Sequence, residues 1–597
     1  MATAALPKQK VLGGSFLIDD ATPQSCFFPE DFTDEHRQIA HTAEEFAINE
    51  IVPAVDAIEE KKFDVTRGLL KKASELGLTS VDVPEEFGGM EMDKVSSAII
   101  ADYIAKSGSF SVAFGGHVGI GMLPIVYFGT QAQKEKYLPK MASGEWIGAY
   151  ALSESSSASD AMNARTRAVL SPDGKHYLLN GEKMWITNAG FADIFIVFAK
   201  VDAEKFTAFI VERNFPGFAV GPEEHKLGIR GSSTCPLILN DCQVPIENVL
   251  GDIGKGHIIA FNTLNIGRFK LGAGCVGGAR TALANAIGYA KDRKAFGKSL
   301  TSFGLIKEKI AAIATGIYVG EAMAYRTVGM IDAATADLDK SSADFSRDVR
   351  KAIEEYAVEC SIAKVWGSEM LDCAVDHVVQ IYGGYGFVEE YPAERAYRDS
   401  RVNRIFEGTN EINRMIITGW LLKSAMSGKL ALLPAIKRLM DQLLEPSEPQ
   451  ELDGPLAAER QLLANIKKAA LVIAGTAAEK FMDKIADQQE VMAAIADIII
   501  ELFAFESALL RTEKIIANSG EAAAKLPIAY TRSYAAKAIA TIEVAARRVI
   551  AYCAEGDEGR MRTVVLRRFL KHDPIDSISV EALIADRNIE AGKYMAL

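Results

Sequence analysis

Tyr177-Leu-Leu-Asn-Gly-Glu-Lys-Met-Trp-Ile-Thr187 is where a helical chain turns into a β chain. It reads as two strands around Asn180-Gly181, a strong hairpin dipeptide. Ile194-Phe-Ile-Val-Phe-Ala199, Phe206-Thr-Ala-Phe-Ile-Val211 and Pro236-Leu-Ile-Leu239 are further short β runs separated by turn residues. Together they make roughly 147–255 a compact β domain.

Working outward, the period changes on both sides. Thr33-Asp34-Glu35 offers a helix cap with early acidic residues, and Ile39, Ala43, Phe46 and Ala47 follow at helical spacing until Pro53 interrupts. Helices continue to about Ser143, with breaks expected at Pro84, Gly88-Gly89 and Gly115-Gly116. The helical period returns after Gly256 and lasts to about Lys423. Leu444-Glu-Pro-Ser-Glu-Pro-Gln-Glu-Leu-Asp-Gly-Pro455 reads as an exposed linker, and an Ala-rich helical block fills the rest. The expected order is an arm (1–30), a helical domain (31–146), the β domain (147–255), a second helical domain (256–428), a linker (429–455) and a C-terminal helical domain (456–597). Segregated blocks of this kind form an α+β multidomain protein rather than alternating βαβ units.

Length and composition agree. At roughly 150 residues per domain, 597 residues suggest about four domains. A composition of 49% hydrophobic and 24% charged residues excludes a disordered or collagen-like chain. Lys and Arg number 66 against 79 Asp and Glu, and a net charge of −13 argues against a nucleic-acid partner. Seven cysteines lack CxxC spacing and eight histidines lack HExxH spacing, so reduced thiols, a cytoplasmic location and no metal are expected. The N-terminal residues lack the apolar core of roughly 7–15 residues that a secretory signal carries. Val491–Leu510 is apolar enough to consider as a membrane span, but Asp497, Glu501 and Glu506 make a buried helix the better reading. Peripheral contact with the inner face of a membrane stays open.

Five stretches bear on chemistry. Gly272-Ala-Gly-Cys-Val-Gly277 matches GxGxxG, yet the residues before it are helical, so close helix packing is expected instead of a dinucleotide turn. Tyr150-Ala-Leu-Ser-Glu-Ser-Ser-Ser-Ala-Ser-Asp160 is a hydroxyl-rich loop, suited to a ring edge or a phosphate, or else simply polar and flexible. Trp185 and Thr187 alternate to one face of a strand, where one supplies a flat wall and the other a hydrogen bond. Arg293-Lys-Ala-Phe-Gly-Lys298 with Phe303 suits a phosphate-plus-adenine grip, or a basic helix end. Gln380-Ile-Tyr-Gly-Gly-Tyr-Gly-Phe387 precedes Tyr397-Arg-Asp-Ser-Arg-Val-Asn-Arg-Ile-Phe-Glu-Gly-Thr-Asn-Glu411. There Glu407 follows an apolar approach, where a carboxyl would carry a raised pKa as a general base requires, or else it faces solvent as most glutamates do.

In this order and spacing the stretches resemble the acyl-CoA dehydrogenase family over roughly 30–425. The added helical block and Phe303-Gly-Leu-Ile306 resemble its very-long-chain branch. The resemblance implies FAD lined by Tyr150, Leu152, Ser153 and Ser159, with Trp185 and Thr187 on its other flank. It implies that Arg293, Phe296, Phe303, Gln380, Gly383, Gly384, Thr409 and Glu411 meet the ADP half of a neighbouring subunit's FAD, hence a homodimer. It makes Glu407 the catalytic base, because Gly267 occupies the alternative position that some relatives use. Ser159, Asn265, Arg268, Phe406 and Gly408 are expected to meet the acyl-CoA substrate, and Gly121 to leave room for a long acyl chain. The implied reaction is α,β-dehydrogenation of acyl-CoA in fatty-acid β-oxidation, with electrons passed to an electron-transfer flavoprotein. A same-fold oxidase and a scaffold protein with residual activity are the alternatives. In the loop, Ser155 replaces the family's proline and Ala158 a glycine, which suggests a less rigid loop.

Overall fold

The computed structural model describes residues 10–339, 342, 344–442 and 453–597. Its sheet has eight strands: β1 (Gly148–Ala151), β2 (Arg167–Leu170), β3 (His176–Thr187), β4 (Ile194–Val201), β5 (Lys205–Glu212), β6 (Phe218–Val220), β7 (Thr234–Pro245) and β8 (Val249–Leu250). They run in the order β6-β7-β3-β2-β4-β5-β8, and β1 adds in parallel to β4. β4 is buried along nearly its whole length, the expected fate of a continuous apolar run.

The opening stretch is one strand rather than two. The reversal between β2 and β3 falls at Asp173-Gly174, where Ser171 N donates to His176 O at 2.8 Å. Asn180-Gly181 instead forms a bulge, with a register shift between Leu179 and Gly181. β7 pairs with β3 on both sides of it, so the chain gains more by continuing than by turning. Gly181 takes φ +152°, and a Cβ there would meet Thr166 Oγ1 at 2.5 Å.

Two expected helix breaks are widened turns instead. A π-type turn, Ala47–Ile51, carries Asp34–Phe46 into Val52–Glu59, and Pro53 sits in the first turn of the second helix, where its missing N–H costs little. Gly116–Gly121 likewise joins Gly108–Gly115 to Leu123–Phe128. This joined stretch, Gly108–Phe128, is long and apolar enough to cross a membrane, and most of it is buried within the protein.

The long helix Gly256–Asp292 packs on Lys94–Tyr103, Gly304–Thr335 and Ala357–Tyr382. Its Gly272 faces the Ala363 carbonyl and its Gly277 the Asp102 carbonyl, each too close for a side chain. The GxGxxG match is therefore helix packing, as expected.

Five helices form the C-terminal block: Ala457–Phe481, Gln489–Ser519, Lys525–Cys553, Gly556–Phe569 and Ser577–Ala591. The three acidic residues that argue against a membrane span in the second are partnered: Asp497 with Arg414 at 2.7 Å, Glu501 with the Tyr534 hydroxyl at 2.5 Å, and Glu506 with Arg326 and Lys467 at 2.7 Å each. The expected linker is partly helical, since Leu432–Gln442 packs on Ala457–Phe481. Most of the Pro/Glu-rich stretch lies outside the described residues. The described part of the expected arm, from residue 10, packs on the helices. Gly14 N donates to Glu359 at 2.7 Å, the rings of Phe16 and Phe503 lie 4.8 Å apart, and Arg511 bridges Glu30 at 2.8 Å and Glu321 at 2.9 Å. Tyr594 closes this cluster with a 2.9 Å hydrogen bond to Glu321. The polar arm sequence hides these contacts because its partners are more than 300 residues away.

Candidate active site

The sequence Ile405-Phe-Glu-Gly-Thr409 makes a tight loop between the short helical turn Arg401–Arg404 and the helix Asn410–Met426. Glu407 and Gly408 both take left-handed backbone, φ +59° and +77°. Three side chains hold this turn by its carbonyls. Arg268 Nε donates to Glu407 O at 3.2 Å, and Lys364 Nζ donates to Gly408 O at 2.8 Å. Asn413 Nδ2 reaches the carbonyls of Glu407, Gly408 and Thr409 at 3.3, 2.8 and 3.0 Å. Thr409 caps the next helix, accepting from Ile412 N at 3.3 Å, and Glu411 lies in that helix's first turn.

The carboxyl lies against bare backbone. A Cβ on Gly267 would stand 2.5 Å from Glu407 Oε2, so a side chain there would push the carboxyl out of this position. Oε2 is sealed from solvent and has no hydrogen-bond partner within the protein. Burial raises the Glu407 pKa to about 7, against the pull of Arg268 and Lys364. Arg268 is itself buried and donates to Asn265 Oδ1 at 2.7 Å, so these two of the residues expected to meet the substrate form one unit. The Tyr150 hydroxyl, also raised by burial and then by Glu407, is a further titratable group that faces the carboxyl.

Glu407, Phe406 and Gly267 open into a cavity of about 610 Å³. It follows one face of the long helix through Leu271, Gly274, Gly278 and Ala282 to Asn285, and Ile100 and Ile104 face it. From Gly267 to Asn285 that path is about 27 Å at 1.5 Å per residue. Thr187 lines the inner end, beside Gly116. Gly121 does not line the cavity: a side chain there would strike the Gly148–Ala149 backbone of β1 at 2.7 and 3.0 Å. The room comes instead from Gly115, Gly116 and Gly119. Lys270 and Ser97 also line the wall and bond Asp82 at 2.7 and 2.6 Å, a charged patch that hydropathy alone did not reveal.

The hydroxyl-rich loop is firmer than its sequence suggests. Glu154 and Ser157 form a two-residue bridge, and the Glu154 carboxylate accepts from Arg165 N, Thr166 N and Thr166 Oγ1 at 2.6, 3.1 and 2.5 Å. The buried Lys183 ammonium adds bonds to Glu154 at 2.7 Å and Leu152 O at 3.2 Å. A buried ion pair thus replaces proline stiffness, and Ala158 avoids positive φ. Ser153 O accepts from Met184 N at 2.9 Å, while Ser159 stays exposed. Trp185 takes φ +59° within a second register shift of β3 and leaves its ring 54% exposed, so this bulge, not simple alternation, sets its direction.

A second cavity of about 500 Å³ gathers Arg293, Gly383 and Gly384 with Tyr289, Tyr382 and Tyr385. Arg293 stacks over Tyr385 at 5.5 Å, and Phe296 meets Phe303 edge-on at 6.2 Å. Gly383 has φ +59°, and no atom lies within 4 Å of a Cβ placed on it or on Gly384. Gln380 is exposed nearby in sequence. Thr409 and Glu411 are not in this group; they belong to the base loop. Lys364, Asn413 and Glu154 are contributors that sequence reading missed. Only their types, a lysine within an apolar helix, an asparagine one turn past a cap and an acid beside a serine run, hinted at them.

All seven cysteines are unpaired, and among the described residues no group of three His, Cys, Asp or Glu is placed to hold a metal. Family models for the acyl-CoA dehydrogenase N-terminal domain match residues 33–145, for the middle domain 149–242, and for C-terminal domains 254–422 and 465–568. The chain is 48% identical over 596 residues, all of both chains, to a "Probable acyl-CoA dehydrogenase" of Bacillus subtilis. It is 39% identical to the human mitochondrial very long-chain specific acyl-CoA dehydrogenase over 68% of this chain and 60% of that one. An acyl-CoA dehydrogenase of Bacillus anthracis, solved in complex with FAD, superposes with TM-score 0.97 at 49% identity, covering 98% of this chain and all of that one. The chain therefore belongs to the acyl-CoA dehydrogenase family of FAD-dependent oxidoreductases.

Proposed function

We propose that this enzyme desaturates long-chain acyl-CoA thioesters between the α and β carbons, in β-oxidation, and passes the electrons to an electron-transfer flavoprotein. The observation that carries it is the Glu407 carboxyl, buried, raised to about 7 and unpartnered at Oε2, at the head of the long cavity. Glu407 takes the α-proton. Its own backbone N–H, on the left-handed turn, is this chain's donor to the thioester oxygen, where charge develops. Arg268 and Asn413 keep the carboxylate aimed by holding its peptide carbonyl.

FAD supplies the acceptor for the departing hydride when bound. The residues present fit it. Trp185 offers a half-exposed flat ring and Thr187 a hydroxyl at the cavity's inner end. Arg293 offers charge beside two glycines with open space over their backbone, a cradle a Cβ would narrow. That Thr187 and Arg293 line separate cavities supports a homodimer in which each chain completes its partner's cofactor site.

The cavity supports the long-chain reading. A path of about 27 Å exceeds one leaflet of a bilayer, about half of its ~30 Å hydrocarbon core, so a long acyl chain fits extended. Anaerobic mixing with palmitoyl-CoA should bleach the flavin absorbance, and kcat/KM should rise from butyryl- to palmitoyl-CoA. An optimum at C4–C6 overturns the long-chain assignment, and rapid peroxide release under air would favour an oxidase.

A further inference from the structure

Lys364 stands out among the buried cations. Its side chain is fully buried in the helix Ala357–Tyr382, and among the described residues it has no ion pair. An uncompensated buried ammonium is costly, so its bonds and its nearest charge say what it is kept for. Its two bonds both go to the base loop: Gly408 O at 2.8 Å and Asn410 Oδ1 at 2.7 Å. Asn410 is held in turn by Ser368 Oγ and Glu369, each at 3.0 Å. Lys364 thus ties the loop to a helix that supplies no other bond to the Glu407-Gly408 turn; Arg268 and Asn413 come from two other helices.

We propose that Lys364 is a positioning residue for the base: it fixes the left-handed Glu407-Gly408 turn through the Gly408 carbonyl and keeps a positive charge beside the carboxyl that must ionise. This rests on Glu407 being the base. The charged and titratable groups facing Glu407 are Arg268, Lys364 and Tyr150; those facing Lys364 are Cys275, Glu407, Arg268 and Glu369. Burial lowers the Lys364 pKa, but the Glu407 carboxylate raises it again and the ammonium in turn lowers that of Glu407, so each charge favours the other. Removing that charge raises the base pKa and leaves less carboxylate at neutral pH.

The test is the pH dependence of anaerobic flavin bleaching by palmitoyl-CoA in FAD-loaded holoenzyme. Lys364→Met should move the acid limb up by about one pH unit and lower the plateau about tenfold, because the loop loses its tether. Lys364→Gln keeps a donor without the charge, so it should move the limb and spare most of the plateau. Lys364→Arg keeps the charge and should leave the limb in place. If the methionine variant does not load FAD, the glutamine variant carries the decision. A limb unmoved in Lys364→Gln overturns the proposal, as does a limb moved equally in Lys364→Arg. Glu407→Gln separates the two levels. If it still bleaches, the base assignment falls and takes this inference with it. If it is inert while the lysine variants behave as wild type, only this inference fails.

Discussion

The cavity at Glu407 and the cavity at Arg293 are finished to different degrees. Around Glu407 the carbonyls of Glu407, Gly408 and Thr409 each have a donor, Gly267 lies bare against the carboxyl, and the buried Oε2 is left without a partner. Around Arg293 the surface is open: Phe296 is 94% exposed, and the glycines carry nothing above them. The first site is complete in one chain apart from the molecule it acts on. The second gains its apolar burial only when something outside the chain covers it. Proton transfer needs sub-ångström aim, while a cofactor's far end needs charge and area, and under the proposed reading the two cavities answer to those different standards.

Four measurements can break or sharpen that contrast. Glu407→Gln should lower the anaerobic bleaching rate with palmitoyl-CoA by about 10³-fold or more, the upper range for a general base, with FAD content unchanged. Retained bleaching would mean the first cavity is not the reacting one. Gly267→Ala should cost about 10²-fold in the same assay, since its methyl would displace a carboxyl from 2.5 Å. A small effect would show that the fit beneath Glu407 is loose. Arg293→Ala should weaken FAD retention about tenfold, as loss of a charge-assisted bond does, yet leave bleaching normal in molecules that keep their flavin. A chemical defect there would erase the division of labour.

The smallest effect is on stability. A folded-state pKa of about 7 lies above the ordinary carboxyl value of 4.5, so the protonated Glu407 favours the folded state and that contribution is lost as pH rises from 4.5 through 7. Glu407→Gln should therefore raise the Tm of FAD-loaded protein at pH 8 by about 2 °C relative to wild type, and by less at pH 5. Equal shifts at both pH values would deny the buried carboxyl.

Much of this was legible from local pattern. The β runs at 194–199 and 206–211, the helical blocks and the Glu407 stretch carry their signals within a few residues, and the structure forms strands, helices and a buried carboxyl there. The misses share one cause: partners far away in the chain. Asn180-Gly181 says hairpin until β7 pairs across both halves. Gly121 looks like empty space until β1 fills it. Ser155 looks loose until Lys183 meets Glu154 from the neighbouring strand. Lys364 shows its use only once the loop 44 residues on folds over it.

The cluster of Glu30, Glu321, Arg511 and Tyr594 has a consequence for how the molecule comes apart. Arg511 is 1% exposed, and its guanidinium is shared between the first helical turns of the chain and a helix of the catalytic region. Stripping away the C-terminal block would take Arg511 from both Glu30 and Glu321, leave Glu321 with Arg280 alone as its ion pair, and expose the apolar faces that the block covers. The block is thus no detachable appendage. Heating should melt it and the catalytic region in one calorimetric transition, and a protease should find no intermediate that keeps one without the other.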